Sequence, residues 1–281
     1  MKLPAFRYEA PASLAEAVRL LADGAGTAKA LAGGQSLIPV LAFRLASPAL
    51  LVDLRRVPGL DRIGISEAGM QLGARVRWCD IEADARLATA HPLLAAAIAH
   101  VAHYPIRNRG TVGGSLAHAD PAAELPGIAV ACDAEIEIAG AKGKRSVKAG
   151  DFFTGPLSTV LRHDELIVQV RFPAWPAARR WGFQEFALRK GDFALAGVAA
   201  WYDLDPAGRC ANAHIGVIGA CTQPQRIRIA EDALNGHALD EKTIAKAKEL
   251  LASALNPPGD LHASAEYRRS LAATLLERAL R

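Results

Sequence analysis

Two short stretches hold the residue types that can grip an anion with backbone alone. The first is Leu31-Ala32-Gly33-Gly34-Gln35-Ser36-Leu37, running on into Ile38. The second, about 80 residues downstream, is Thr111-Val112-Gly113-Gly114-Ser115, inside the run from Pro105 to Leu116. A Gly-Gly pair lets backbone come close to a ligand and tolerates positive φ. Successive exposed N–H groups in such turns form an anion-binding concavity. Two of them suggest two loops holding one extended anion, such as a pyrophosphate. Two ordinary glycine turns are the competing reading, because turns collect glycine for purely local reasons.

Other polar residues gather near the second stretch. His118, Asp120 and Glu124 follow it directly. They can face a ribose or ribityl chain, or simply start a helix with Asp120 as N-cap and Pro121 behind it. Arg107 and Arg109 flank Asn108; on an extended segment both point the same way, toward phosphate, an acidic partner or solvent. Arg189-Lys190-Gly191-Asp192-Phe193 reads as a charged turn whose aromatic can cover a flat ring system. His100 and His103 stand three apart on a predicted helix, but no Cys or carboxylate follows at metal-ligand spacing, so a structural or surface role is expected. No Gly-x-Ser-x-Gly and no readable Ser/His/Asp order occurs, and Asp151 and Glu165 read as solvated surface. The side chains thus offer no acid–base or nucleophilic centre of their own, and any chemistry is expected to come from a bound cofactor.

The chain that must position these residues has 281 of them, 51% hydrophobic and 22% charged, which suits one large or several small globular domains. Its net charge of +4 is dispersed, without a Lys/Arg block, which favours small anions or acidic surfaces over nucleic acid. The four cysteines are far apart and form no C-x-x-C, so they are expected to be buried thiols of a cytoplasmic protein and not ligands of zinc or an iron–sulfur cluster. No secretory leader and no membrane span are expected.

Ser13 and Glu16 predict a capping box for a helix over 14–23. A short strand at 28–32 should run into the first Gly-Gly, and Ser36 should cap a helix reaching Leu45. Leu50–Leu54 is the next strand, and 61–65 with 70–76 a hairpin. Asp80 should cap a helix to about Ala88, and Pro92 should open one reaching Ala102. Residues 121–131 should be partly helical, followed by strands at 135–139, 145–148 and 166–172. Pro173 and Pro176 mark a boundary. Beyond it, strands at 182–189, 194–204 and 211–218 precede helices at 241–254 and 265–279, with Ser264 as a cap.

Taken together, the Leu31–Leu37 and Ile106–Ser115 motifs resemble the FAD-binding medium subunit of molybdenum hydroxylases, the family of xanthine dehydrogenase, bacterial carbon monoxide dehydrogenase and aromatic N-heterocycle hydroxylases. The resemblance extends through Asp164-Glu165-Leu166-Ile167 and Arg189–Phe193. It implies an α+β fold: an FAD-binding domain of the vanillyl-alcohol-oxidase and p-cresol-hydroxylase type over 1–176, in subdomains of about 1–55 and 56–176. A C-terminal flavoprotein domain with a three-stranded sheet and helices would fill 177–281. It implies FAD bound by Leu31, Ala32, Gly33, Gly34, Gln35, Ser36, Leu37 and Ile38, and by Thr111, Gly113, Gly114 and Ser115. Ala102, Ile106, Gly110, Ala117, His118, Glu124, Ile167, Lys190 and Phe193 would complete the site. Some family members place a flavin-contacting lysine where Glu185 falls. The resemblance implies a large partner with molybdopterin and a small partner with two 2Fe–2S clusters, in a dimer of heterotrimers. A scaffold that keeps the fold without flavin, and a stand-alone flavin oxidase, are the alternatives.

Overall fold

The computed structural model describes residues 2–281. The N-terminal part is a small parallel sheet. β1 (Arg7–Glu9) and β2 (Ala28–Leu31) both pair with β3 (Leu50–Asp53), giving the order β1-β3-β2. α1 (Leu14–Asp23) covers it, burying Ala17, Val18 and Leu21. Ser13 Oγ accepts from Glu16 N at 3.2 Å, and Glu16 reaches back to the Ala12 amide at 3.1 Å, so the predicted capping pair forms one residue wider than expected. α2 (Leu37–Ala42) stops short of the predicted Leu45. Phe43 and Leu45 are 67% and 78% exposed, so a further turn would bury nothing, and Arg44 turns the chain away at φ 58°.

The second layer is a five-stranded antiparallel sheet, built from β4 (Ile63–Ser66), β5 (Gly69–Gly73), β6 (Glu135–Gly140), β7 (Gly143–Lys148) and β10 (Leu166–Pro173) in the order β4-β5-β10-β6-β7. Between β5 and β6 run short helices: α3 (Trp78–Ala83), α4 (Leu87–Ala90), α5 (Pro92–Ile98), α6 (Tyr104–Arg107), α7 (Val112–His118) and α8 (Glu124–Ala131). Between β7 and β10 lie α9 (Ala149–Phe152) and the small pair β8 (Phe153–Gly155) and β9 (Ser158–Thr159). Several start and stop signals sit differently from expectation. Asp80 is not the cap of α3 but its third residue, accepting from the Arg77 backbone at 3.0 Å. α5 ends at Ile98 because Arg107 donates to the carbonyls of Val101 and Ala102 (3.0 and 2.9 Å) and fixes a left-handed turn at Ala102. Asp120 opens no helix; its carboxylate accepts from Ala122 N at 2.9 Å in a turn, and α8 begins at Glu124.

The C-terminal part is a sheet of β11 (Arg180–Phe186), β12 (Ala196–Leu204), β13 (Cys210–Ile218) and β14 (Gln225–Arg226). It has four strands where three were expected; the last is only two residues long. Three helices follow: α10 (Arg228–Leu234), which the sequence reading omitted, α11 (Glu241–Ala254) and α12 (Ala265–Leu280). Alternation splits β12 between two cores. Ala196, Val198 and Ala200 pack in the core shared with these helices, whereas Ala199 and Trp201 belong to the core of the five-stranded sheet. A sheet buried on both faces is why β12 reads as an almost unbroken apolar run. All eight residues of α8 are buried at this junction. There Trp201 Nε1 donates to the Ala131 carbonyl at 2.8 Å, and His214 Nδ1 lies 2.8 Å from the same oxygen.

Candidate cofactor site

The two Gly-Gly stretches meet in space. A Cβ placed on Gly33 would fall on the carbonyl oxygen of Arg109, with that carbonyl carbon 2.9 Å away and Gly110 Cα 3.0 Å away. Only glycine permits this crossing of chains. Gly34 follows with φ 73°, which turns the chain off the end of β2 and into α2. Among the described residues, the amides of Gly34, Gln35, Ser36 and Leu37 donate to no protein acceptor. Four consecutive free donors beside a glycine crossing are a fitting cradle for a diphosphate. Gln35 is held by its own Nε2, which donates to Gly33 O at 3.1 Å.

The second stretch is built differently from the open turn that was expected. Thr111 caps α7, its Oγ1 accepting from Gly114 N at 3.2 Å. The amides of Val112, Gly113 and Ser115 bond to Val76 O, Ala74 O and Thr111 O at 2.9, 2.8 and 3.0 Å. The donors assigned to the Gly113-Gly114 backbone are therefore consumed inside the protein. Gly113 is there for packing, since a Cβ would stand 2.6 Å from Ala74 Cβ. Val112, Gly113 and Leu116 form the buried side of α7, leaving Gly114, Ser115, Ala117 and His118 on its open side. Below it a row of bonds, Gly113 N to Ala74 O and Ala74 N to Val168 O (both 2.8 Å), ties α7 to β10, where Ile167 is buried.

The arginines separate. Residues 104–107 are helical, not extended, so Arg107 and Arg109 do not act alike. Arg107 pairs with Glu82 at 3.0 Å and is spent on structure. Arg109 is exposed, with no carboxylate in pairing range among the described residues, and stays available to an anion. Gly110 packs under Trp78, whose Nε1 would lie 2.6 Å from a Cβ there.

A third group assembles from both halves of the chain. Gly191 lies on the ring of His103, where a Cβ would approach Nδ1 to 2.7 Å. This seats the Arg189–Phe193 loop, with Lys190, against the segment holding Ala102 and Ile106. Phe193 is 65% exposed. Glu185 Oε1 stands 3.8 Å from His100 Nδ1, and its side chain is 4% exposed. Burial, then the negative charge of Glu124, pushes the Glu185 carboxyl up to about 8. Burial likewise raises Glu124 to about 7, its own backbone amide opposing and Asp120 adding to the rise. Burial and the charge of Lys190 hold His100 below the usual imidazole range. Among the described residues no group of three or more His, Cys, Asp or Glu is placed to hold a metal ion, and the four cysteines are unpaired.

Sequence reading found the two loops and missed their supports. Ala74 and Trp78 carry no motif and gain their roles only by contact. Glu185 did carry a signal: it alternates with Phe183 on β11, which places both on the face that meets His100.

The first 175 residues or so match the FAD binding domain in molybdopterin dehydrogenase (residues 4–175), and residues 181–281 match the CO dehydrogenase flavoprotein C-terminal domain. The chain is 42% identical over 280 residues to the nicotine 6-hydroxylase medium subunit of Paenarthrobacter nicotinovorans, covering 100% of this chain and 98% of that one. It is 33% identical over 279 residues to the carbon monoxide dehydrogenase medium chain of Hydrogenophaga pseudoflava, covering 99% and 96%. Quinoline 2-oxidoreductase from Pseudomonas putida 86 superposes with a TM-score of 0.94 at 44% identity, over 100% of this chain and 97% of that one. No described helix is long and apolar enough to cross a membrane. The chain belongs to the family of FAD-binding medium subunits of molybdenum hydroxylases, and is a subunit of a molybdenum-dependent oxidoreductase.

Proposed function

We propose that this chain is the electron-exit subunit of a cytoplasmic heterotrimeric hydroxylase. In this reading a large partner oxidises the substrate at a molybdopterin centre, a small partner relays single electrons through two 2Fe–2S clusters, and two heterotrimers pair. The observation that carries it is the run of free amides from Gly34 to Leu37, closed by the Arg109-Gly110 crossing. FAD bound there supplies the capacity the side chains lack, taking electrons singly and passing two to an external acceptor.

The protein's own contribution is holding and orientation. Leu31 to Ile38 would wrap the diphosphate through backbone donors, and exposed Arg109 would add charge. Thr111, Gly114, Ser115, Ala117 and His118 present the open side of α7 to the rest of the cofactor. Gly110 would stand beside the diphosphate, at the crossing over Gly33, while Ala102, Ile106, Glu124, Lys190 and Phe193 would surround the ring end, with Ile167 behind them. The three larger sheets support a division into units of about 1–55, 56–176 and 177–281. Co-expression of this chain with its two candidate partners tests the assignment. The expected product is a yellow complex containing molybdenum and iron, whose flavin is bleached by the complex's substrate. A colourless complex, or a flavin that substrate never reduces, would sink it.

A further inference from the structure

Arg268, the fourth residue of α12, is 5% exposed and belongs to none of the cofactor segments described above. Burying a guanidinium is costly unless its donors find partners. Here Nη1 donates to two backbone carbonyls, Leu195 O at 2.8 Å and Gly219 O at 3.1 Å. Nη2 donates to Asp260 Oδ2 at 2.7 Å, and Nε is shielded from solvent without a partner. Leu195 stands just before β12 and Gly219 just after β13, where the ladder between these strands has ended. Among the described residues no backbone amide donates to either carbonyl, so Arg268 is what satisfies them. Asp260 is fixed in turn, its Oδ1 accepting from His262 N and Ala263 N at 2.8 and 3.0 Å.

Both carbonyls belong to the framework of the cofactor cleft. Leu195 closes the base of the Arg189–Phe193 loop, its amide donating to Phe186 O at 2.9 Å. Gly219 turns at φ 71°, and a Cβ there would strike the Ala194 carbonyl oxygen, so its backbone lies flat against the end of that loop. Gly219 N donates to Pro121 O at 2.8 Å, in the segment between His118 and Glu124. The guanidinium thus sits where two cleft segments, from opposite halves of the chain, are joined. We propose that Arg268 is a positioning residue for the flavin. By clamping Leu195 O and Gly219 O it fixes the Arg189–Phe193 loop relative to the His118–Glu124 segment, and so sets where Lys190 and Phe193 stand at the ring end. The loop needs such a clamp. Leu188 and Phe193 are 58% and 65% exposed, so the loop buries little of its own, and a second fixing is the seat of Gly191 on His103. The inference rests on the FAD reading above.

The test uses the full chain with FAD bound and compares wild type with Arg268→Lys, Asp260→Asn and, as a control, Leu251→Ala. A lysine keeps the charge but lacks the planar fork that reaches both carbonyls and Asp260. Asp260→Asn keeps the arginine and removes the exposed carboxylate that holds it. Leu251 is fully buried on α11 in the same core, so its truncation lowers stability without touching the clamp. In Arg268→Lys, with flavin still bound, the amides of residues 188–195 should exchange about tenfold faster. Iodide should quench the flavin fluorescence severalfold more strongly, and the visible circular dichroism of the flavin should change. Asp260→Asn should move the same signals in the same direction by less. Leu251→Ala should melt earlier with all three signals as in wild type. Flavin signals in Arg268→Lys and Asp260→Asn identical to wild type would overturn the proposal, and so would the same changes in Leu251→Ala. Should Arg268→Lys not fold, Asp260→Asn decides alone. A wild-type chain that holds no FAD would instead overturn the FAD reading, and the flavin positioning with it, while amide exchange still decides whether Arg268 fixes the loop.

Discussion

At the scale of single residues, Gly33 and Glu185 are the informative positions. Gly33 has no room for a Cβ, because Arg109 backbone occupies it. Gly33→Ala should therefore cost about 1–3 kcal/mol of stability by overpacking and weaken FAD retention at least tenfold, read from flavin absorbance per chain after gel filtration. Gly114→Ala meets only Thr111 Oγ1, at 2.8 Å, and should disturb the cap of α7 more than the crossing itself. A smaller loss of flavin than in Gly33→Ala is the expected outcome. Glu185 makes the fold pH-sensitive from the alkaline side. Its carboxyl is raised in the fold to about 8, from an ordinary 4.5, so the folded state favours the protonated form. Its contribution is complete below the unfolded value and is lost as pH climbs through the folded one. Urea titrations should show wild type losing stability relative to Glu185→Gln between these limits, by an amount on the order of a few kcal/mol.

At the scale of elements, local signals placed most helices and strands, and long-range contacts decided where they stop. α1, α11 and α12 follow their caps: Ser13, Asp240 and Ser264 each accept from a backbone amide three residues on. α5 depends on His91, which is buried and accepts from Leu94 N at 3.2 Å through Nδ1. Packed against Phe172 and Trp175, it is held neutral by burial, its pKa lowered to about 3. A lowered imidazole pKa means the fold loses stability as pH falls below an ordinary histidine's 6.5 toward that value. His91→Asn should keep the cap and flatten this acid limb in thermal melts, even though it leaves a cavity that lowers stability at neutral pH. Early stops were not legible for the same kind of reason. The end of α5 is set by Arg107, eight or nine positions beyond it, and the end of α2 by an absence of anything to bury.

At the scale of the whole molecule, the C-terminal sheet is fastened to the FAD-binding part at the end of α8. Ala131 O receives Trp201 Nε1, and Arg226 joins Asp133 at 2.8 Å to Glu231, also at 2.8 Å. Glu231 is 3% exposed and also accepts from Ile215 N at 2.8 Å. Arg226→Met would strand that buried carboxylate. A loss of about 3–5 kcal/mol is expected in chemical denaturation, and the C-terminal part should become the first to exchange its amides.

What the sequence determined by itself was local: the caps Ser13 and Ser264 of α1 and α12, the hairpins, the alternation of β11 and β12, and the two Gly-Gly motifs that identify the family. Each depends on neighbours a few positions away, so residue order carries the information. Tertiary structure decided how the motifs divide the work. It spent the second loop's amides on Val76 and Ala74, left those of Gly34 to Leu37 free, and turned Arg107 inward while leaving Arg109 outside. It also buried Glu185 with no Arg or Lys in pairing range among the described residues and with Oε2 unpartnered. These outcomes depend on which backbone crosses which at distances of tens of residues, and hydrogen bonds and burial at such crossings follow from packing, not from residue type.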